Sequence, residues 1–404
     1  MTSVPPPTRP IPSTAIDPFA LESLQDPFAA DGAVRELGPV VHIAEHDYYA
    51  VTRFTEIRKG LRDWRTFSST DRPFYEDSAF RPRIVLFEEP PAHTRTKSAI
   101  MDVLGPRNLP WLEEYFRKEA GALLDRVLDG DVVDVDGYRD LAVAYVLKVF
   151  PDVIGMPEDG RELLLKFGSA GLNAFGPPSE LRERKLAAGA EAVAWVERNI
   201  GRESLAEGGL GAQLYAMADE GRISEQEARD LVKTVFAAGF DTSTSGIASM
   251  FRAFGDHPGE WRKLRERPDL VAPAWEESIR FYPPNRFGGR WAPGGATVAG
   301  HRIPAGAKIL MMWLGASRDP REFDDPDRFV IDREMPHGHL SFGFGLHTCA
   351  GNLVARLEAT TLLRSMAERI ESVESAGEPR TATNYQAFGH EHVPLRLRRA
   401  APRS

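Results

Sequence analysis

The stretch Phe342-Gly-Phe-Gly-Leu-His-Thr-Cys-Ala-Gly351 constrains this chain more than any other. It holds the single cysteine of 404 residues, Cys349, framed by Gly343, Gly345 and Gly351. A helical pattern follows at once, Asn352-Leu-Val-Ala-Arg-Leu-Glu-Ala. The thiol is therefore expected at a loop-to-helix junction, under the open amides of a first helical turn. Those amides and the helix dipole favour thiolate over thiol. The glycines let the backbone pass close to a flat partner and turn N–H groups toward the sulfur. Iron held by a thiolate needs both features. Taken alone, Cys349 also suits a buried structural role, or a nucleophile with His347 as its base.

The chain offers 50 Lys and Arg against 59 Asp and Glu, a formal charge of -9, which argues against nonspecific nucleic-acid binding. One cysteine excludes an internal disulfide framework. The start lacks the basic stretch and apolar core of a signal peptide, and no apolar run nears the ~20 residues a membrane helix needs. A cytoplasmic protein without a membrane anchor is expected.

Hydrophobic residues make up 42%, enough for a large core, and helical spacing dominates. Residues 1–16 are Pro-rich and expected extended or disordered, and residues 17–404 are read as one domain. Val40–Ile43 and Tyr48–Thr52 read as a hairpin turning at His46-Asp47. Helices are expected over Pro110–Leu128 and Leu181–Ile200. Short strands joined by turns at Pro293-Gly-Gly and Pro304-Ala-Gly are expected over Arg286–Trp313. The chain should end in a sheet edge near His392–Leu397. The fold class is mainly α with small β-sheets.

Ser224-Glu-Gln-Glu227 fits a capping box. The helix it opens should run to about Gly255, a length of ~48 Å. Its centre, Ala238-Gly-Phe-Asp-Thr-Ser-Thr-Ser-Gly246, is rich in hydroxyls and glycine, so a local distortion is expected there. By itself that reads equally well as a solvated kink. Likewise Glu277 and Arg280, three apart on a helical stretch, need be no more than a surface pair. His93 and Lys97 lie one turn apart and could face one carboxylate.

Together these segments resemble the cytochrome P-450 monooxygenases. The cysteine loop matches the family's Phe-Gly-x-Gly-x-His-x-Cys-x-Gly at every fixed position. The resemblance implies haem b between the long helix and the cysteine loop, with Cys349 as the iron ligand and Phe342, Gly343 and Gly351 shaping its loop. Asp241 and Thr242 match the acid–alcohol pair that delivers protons to dioxygen. Glu277 and Arg280 match the buried structural pair, with Arg328 as the later arginine that completes it. His93, Arg290 and His347 match contacts to the haem propionates. Lys97 stands where arginine is usual and loses the bidentate fork.

Within the bacterial members the chain is similar to the para-substituted benzoate monooxygenases of the 4-methoxybenzoate O-demethylase type. Matches include Ile16-Asp-Pro-Phe-Ala-Leu, Phe80-Arg-Pro and Asn173-Ala-Phe-Gly-Pro-Pro. The resemblance implies Arg81 near a substrate carboxylate, but Ile84, Thr234 and Ala237 replace serines that assist it. Phe175 matches an aromatic clamp residue whose partner is here Leu172. Asn285 to Gly288 precede Arg290 where bulkier residues are usual, so Gly288 is expected to open space near the iron. Phe87, Leu172, Phe175, Thr234, Ala238, Asn285 and Gly288 are the expected pocket. The implied reaction is O-demethylation or hydroxylation of a small methoxylated aromatic, either an aryl acid or a guaiacol- or syringol-type phenol. Hydroxylation of a terpene or other natural product is the alternative. A haem-thiolate sensor or a peroxide-driven peroxygenase would not need the acid–alcohol pair. With no flavin or iron–sulfur motif in the chain, a ferredoxin and its NAD(P)H-dependent reductase are expected as partners of a monomer. Lys97, Arg107 and Arg356 are the expected docking cations.

Overall fold

The computed structural model describes residues 9–70 and 84–401. Helices form most of it. The longest, Glu225–Asp256, runs 32 residues and begins with the expected capping box: the Ser224 side chain accepts from Glu227 N–H, and the Glu227 carboxylate accepts from Ser224 N–H. Its buried residues, among them Leu231, Phe236, Phe240, Met250 and Phe254, lie nearly all round its surface, so neighbours enclose it. Helices Leu163–Asn173 and Val271–Phe281 pack on it, as does Asn352–Arg369, the helix that follows the cysteine. No helix among the described residues is long and apolar enough to cross a membrane.

The expected distortion of the long helix is absent; it is α-helical throughout. The hydroxyls do not displace the backbone ladder. Thr242 donates to the carbonyl of Ala238 at 2.7 Å and Thr244 to that of Phe240 at 2.9 Å. Such back-bonding satisfies a hydroxyl without breaking the turn.

A five-stranded sheet lies beside the helices, in the order Ser13–Thr14, Val40–Ile43, Tyr48–Val51, Ala307–Met311, Gly288–Ala292. The hairpin turns where expected, with Asp47 left-handed at φ 51°. Residues 13 and 14 are extended as expected, but Ser13 pairs with His42 and Thr14 with Ile43, so this part of the Pro-rich segment is bound to the sheet. The outermost strand, Gly288–Ala292, pairs antiparallel with Ala307–Met311 and carries Gly288, Gly289 and Arg290 to the central cavity. The expected sheet edge at the C-terminus is instead a middle strand. Pro394–Arg399 lies between Val132–Asp136 and Ile370–Ser375. Leu395 and Leu397 are buried while Arg396 and Arg398 point outward, and such alternation suits an internal strand covered on one face.

Candidate functional site

A cavity of about 280 Å³ lies between the long helix and the cysteine loop. The loop is built around its glycines. Gly343 and Gly345 have φ of 66° and 72°, a region costly for residues with a Cβ. A Cβ at Gly345 would also stand 2.4 Å from the carbonyl oxygen of Leu61. The Cys349 N–H donates to the Phe342 carbonyl at 2.8 Å, closing the loop. The next helix begins at Asn352 with Gly351 as its N-cap, so the thiol sits at its opening turn, as expected. Cys349 presents its sulfur to the cavity.

Burial pushes the Cys349 thiol up, while the Gly351 amide and the charges of Lys97 and Arg356 pull it down without cancelling that effect. The Gly351 amide thus acts in the expected direction, and burial outweighs it.

Above the loop lies a cradle of unpaired imidazoles and cations. His93 and His347 meet edge to face at 4.6 Å. Both ring nitrogens of His93 and Nε2 of His347 are buried without hydrogen-bond partners. Burial lowers the His93 pKa to about 4 and that of His347 to about 2, with the neighbouring Lys97 adding to both. Arg290 is buried, and burial lowers its pKa to about 10. Buried donors without acceptors, two cations and a thiol fit a flat dianionic iron porphyrin: the cations and imidazoles would hold its carboxylates. Lys97 also donates to the carbonyls of Leu346 at 2.5 Å and Thr348 at 2.8 Å, so it braces the cysteine loop.

Thr242 lines the cavity and Asp241 does not. Asp241 lies on another face of the helix, half-buried, against Gly168; a Cβ there would stand 3.0 Å from the Asp241 carboxyl carbon. Thr242 thus lines the cavity, its hydroxyl donating to the Ala238 carbonyl at 2.7 Å, with the acid on another face of the helix. Sequence reasoning missed a second acid. Glu358, on the helix after the cysteine, lines the cavity and is 1% exposed. Burial raises its pKa to about 8 despite a hydrogen bond with Ser243. Its spacing, nine residues past Cys349 on the inner face of an expected helix, was the available signal.

Phe87, Leu172, Phe175, Thr234, Ala238, Asn285 and Gly288 all line the same cavity, as expected. The Phe87 and Phe175 rings are 6.4 Å apart. Arg81 lies outside the described residues. Gly288 does not open space near the iron: a Cβ there would stand 2.5 Å from Cζ2 of Trp313, whose indole fills the gap. Arg286 turns away to a buried ion pair with Asp31 at 2.8 Å. The sequence reading also missed Gln386, which lines the cavity from a segment paired with Asn285 and Arg286.

Glu277 and Arg280 are both fully buried, joined at 2.6 and 2.9 Å. Their completing arginine is Arg333, not Arg328. The Arg333 Nε donates to Glu277 at 3.1 Å with its side chain 9% exposed. The Arg328 side chain is 73% exposed and reaches only Asp325, while its carbonyl accepts from Arg280 and Arg333. The chain direction after Arg328 buries Phe329 and Ile331 and turns Arg328 outward. Of the expected docking cations, Arg356 pairs with Glu276 at 2.7 Å and Lys97 is engaged in the loop. Arg107 is exposed and donates to Gln213 at 3.1 Å.

Comparison with known proteins agrees with this arrangement. The Cytochrome P450 family model matches residues 270–394. Cytochrome p450 CYP199A2 of Rhodopseudomonas palustris is 38% identical over 392 residues, covering 96% of this chain and 95% of that protein. Cytochrome P450 144 of Mycobacterium tuberculosis is 28% identical, covering 89% and 86%. The solved structure of cytochrome P450 CREJ in complex with (4-ethylphenyl) dihydrogen phosphate superposes with a TM-score of 0.85 at 25% identity, covering 94% of this chain and 98% of that one. With a thiol-bearing glycine loop facing a long helix across one cavity, and a relative alike over nearly its whole length, the chain belongs to the cytochrome P450 family, a family of haem b monooxygenases.

Proposed function

We propose that the protein removes a methyl group from a small methoxylated aromatic, an aryl acid or a methoxyphenol, by oxidising the methoxy carbon. The observation that carries this reading is the chamber itself. Phe87, Leu172, Phe175 and Ala238 make walls suited to one aromatic ring, next to the thiol and the Thr242 hydroxyl. The similarity to the para-substituted benzoate type supports it. The balance is one methoxyarene, one dioxygen, two electrons and two protons giving a hydroxylated methoxy carbon and water. That hemiacetal then collapses to a phenol and formaldehyde.

In this reading Cys349 holds the iron, and His93, Lys97, Arg290 and His347 hold the propionates. The bound haem supplies dioxygen activation. With haem bound, Thr242 would hold its hydroxyl on the cavity side of the long helix and pass protons on, with Asp241 as the relay to solvent. The apolar walls exclude water and hold the methoxy carbon toward the iron.

Electrons come from a ferredoxin. Its docking face is drawn away from Lys97 and Arg356 toward helix Phe54–Arg62, which packs on the cysteine loop. Arg58 and Arg62 stack on Phe344 at 4.6 and 4.7 Å. Among the described residues, neither they nor Lys59 forms an ion pair, so their charge remains for an acidic partner.

The test is formaldehyde release from 4-methoxybenzoate, guaiacol and syringol with NADH, ferredoxin and reductase. Release at a rate matching NADH consumption is expected. No formaldehyde from any of them, with clean turnover of a terpene or fatty acid, would overturn the substrate class.

A further inference from the structure

Among the described residues, and apart from Glu358 and Thr242, two sets of polar groups line the substrate chamber. One set is charged or basic and belongs to the haem cradle: His93, Lys97, Arg290 and His347. Each is tied to the loop or buried beside the propionate positions. The other set is neutral and lies among the aromatic walls. Thr234, on the long helix, is 6% exposed, and its Oγ1 has no hydrogen-bond partner. A helical threonine ordinarily donates to the carbonyl four residues back; this one does not. Gln386 is 8% exposed, and its Oε1 has no partner either.

Backbone contacts fix where Gln386 stands. Its carbonyl accepts from Arg286 N–H at 2.8 Å, and the next residue, Ala387, bridges Asn285. Tyr385 N–H donates at 3.3 Å to the side chain of Asn173, between Leu172 and Phe175 in sequence. The amide therefore sits where the segment of Asn285 meets the helix of Leu172. Rotation about its last side-chain torsion offers the cavity either oxygen or NH2.

Buried polar groups without partners are costly and are normally satisfied by something. An amide and a hydroxyl each offer a donor and an acceptor. A phenolic hydroxyl, which donates and accepts, suits both. Resting on the proposed demethylation, we infer that Gln386 and Thr234 are specificity-determining residues that select an aromatic carrying a free hydroxyl group over the same ring with that hydroxyl methylated.

The test is equilibrium binding to the haem-loaded protein, by calorimetry and by the shift of the haem absorption band. The probes are guaiacol, its methyl ether veratrole, and 4-methoxybenzoate. Guaiacol is expected to bind roughly tenfold tighter than veratrole, the size of one hydrogen bond. Gln386→Leu should erase the preference for guaiacol over veratrole and leave veratrole affinity within about twofold. The isosteric Thr234→Val should reduce it partly, and serves if the first variant fails to fold. Equal loss for guaiacol and veratrole, or an unchanged preference in both variants, overturns the inference. Tight, selective guaiacol binding without formaldehyde would instead overturn the demethylation and leave the recognition standing. Failure of all three probes to bind would sink both.

Discussion

Replacing Arg333 by methionine separates the two assignments of the third structural arginine. The Arg333 Nε donates to Glu277 at 3.1 Å, and its NH2 donates to the carbonyls of Arg328 at 2.8 Å and Asp325 at 3.1 Å. NH1 donates to the Asp324 carbonyl. Its side chain is 9% exposed, so water replaces few of these bonds. Glu277 would not be stranded, because Arg280 and the Val330 N–H at 3.0 Å still hold it. The expected cost is therefore below that of an orphaned buried charge, about 3 kcal/mol. Arg280→Met leaves Glu277 with fewer partners and also strips donors from the Ser317 and Pro326 carbonyls, so it should cost more, about 4 kcal/mol. Arg328→Met touches an exposed pair at 3.5 Å and should stay within about 0.5 kcal/mol of the parent. Urea unfolding followed by tryptophan fluorescence, alongside haem retained after gel filtration, measures all three. Arg328→Met as damaging as Arg333→Met would refute the assignment of Arg333.

Three further outcomes are expected. Gly288→Ala drives a methyl toward the Trp313 indole, 2.5 Å away, and should weaken guaiacol binding about tenfold by overpacking, with Trp313→Phe restoring part of it in the double variant; unchanged affinity in the single variant would show that the indole moves freely. Glu358 keeps its proton in the folded state to about pH 8 but loses it near its ordinary value when unfolded, so folding holds the extra proton and stability falls as pH rises from about 4.5 to 8. Glu358→Gln should flatten that slope in urea midpoints taken across the window, and an identical slope would count against it. Lys59→Glu with Arg62→Glu should slow reduction by ferredoxin at low salt more than tenfold, with guaiacol affinity unchanged, whereas the same change at Arg328, exposed but far in sequence from the cysteine loop, should matter little; stopped-flow reduction reads the difference.

Local patterns determined much of this protein. The capping box at Ser224 set the start of the long helix within its own four residues. The glycines around Cys349 set the loop's turns, because φ near 70° at Gly343 and Gly345 disfavours residues with a Cβ. Short-range rules suffice there, since each constraint is met by neighbours in the chain. Tertiary structure decided what depends on distant segments meeting. Arg328 and Arg333 are alike as residues, and only the turn that buries Phe329 and Ile331 sends one outward and the other to Glu277. Gly288 reads as empty space until Trp313, on the short helix after the partner strand, fills it. Gln386 and Glu358 are ordinary polar residues in sequence, and they become significant because packing removes their water and gives them one cavity to face. Burial is a property of the assembled fold, so the partners and protonation of such groups could be read only there.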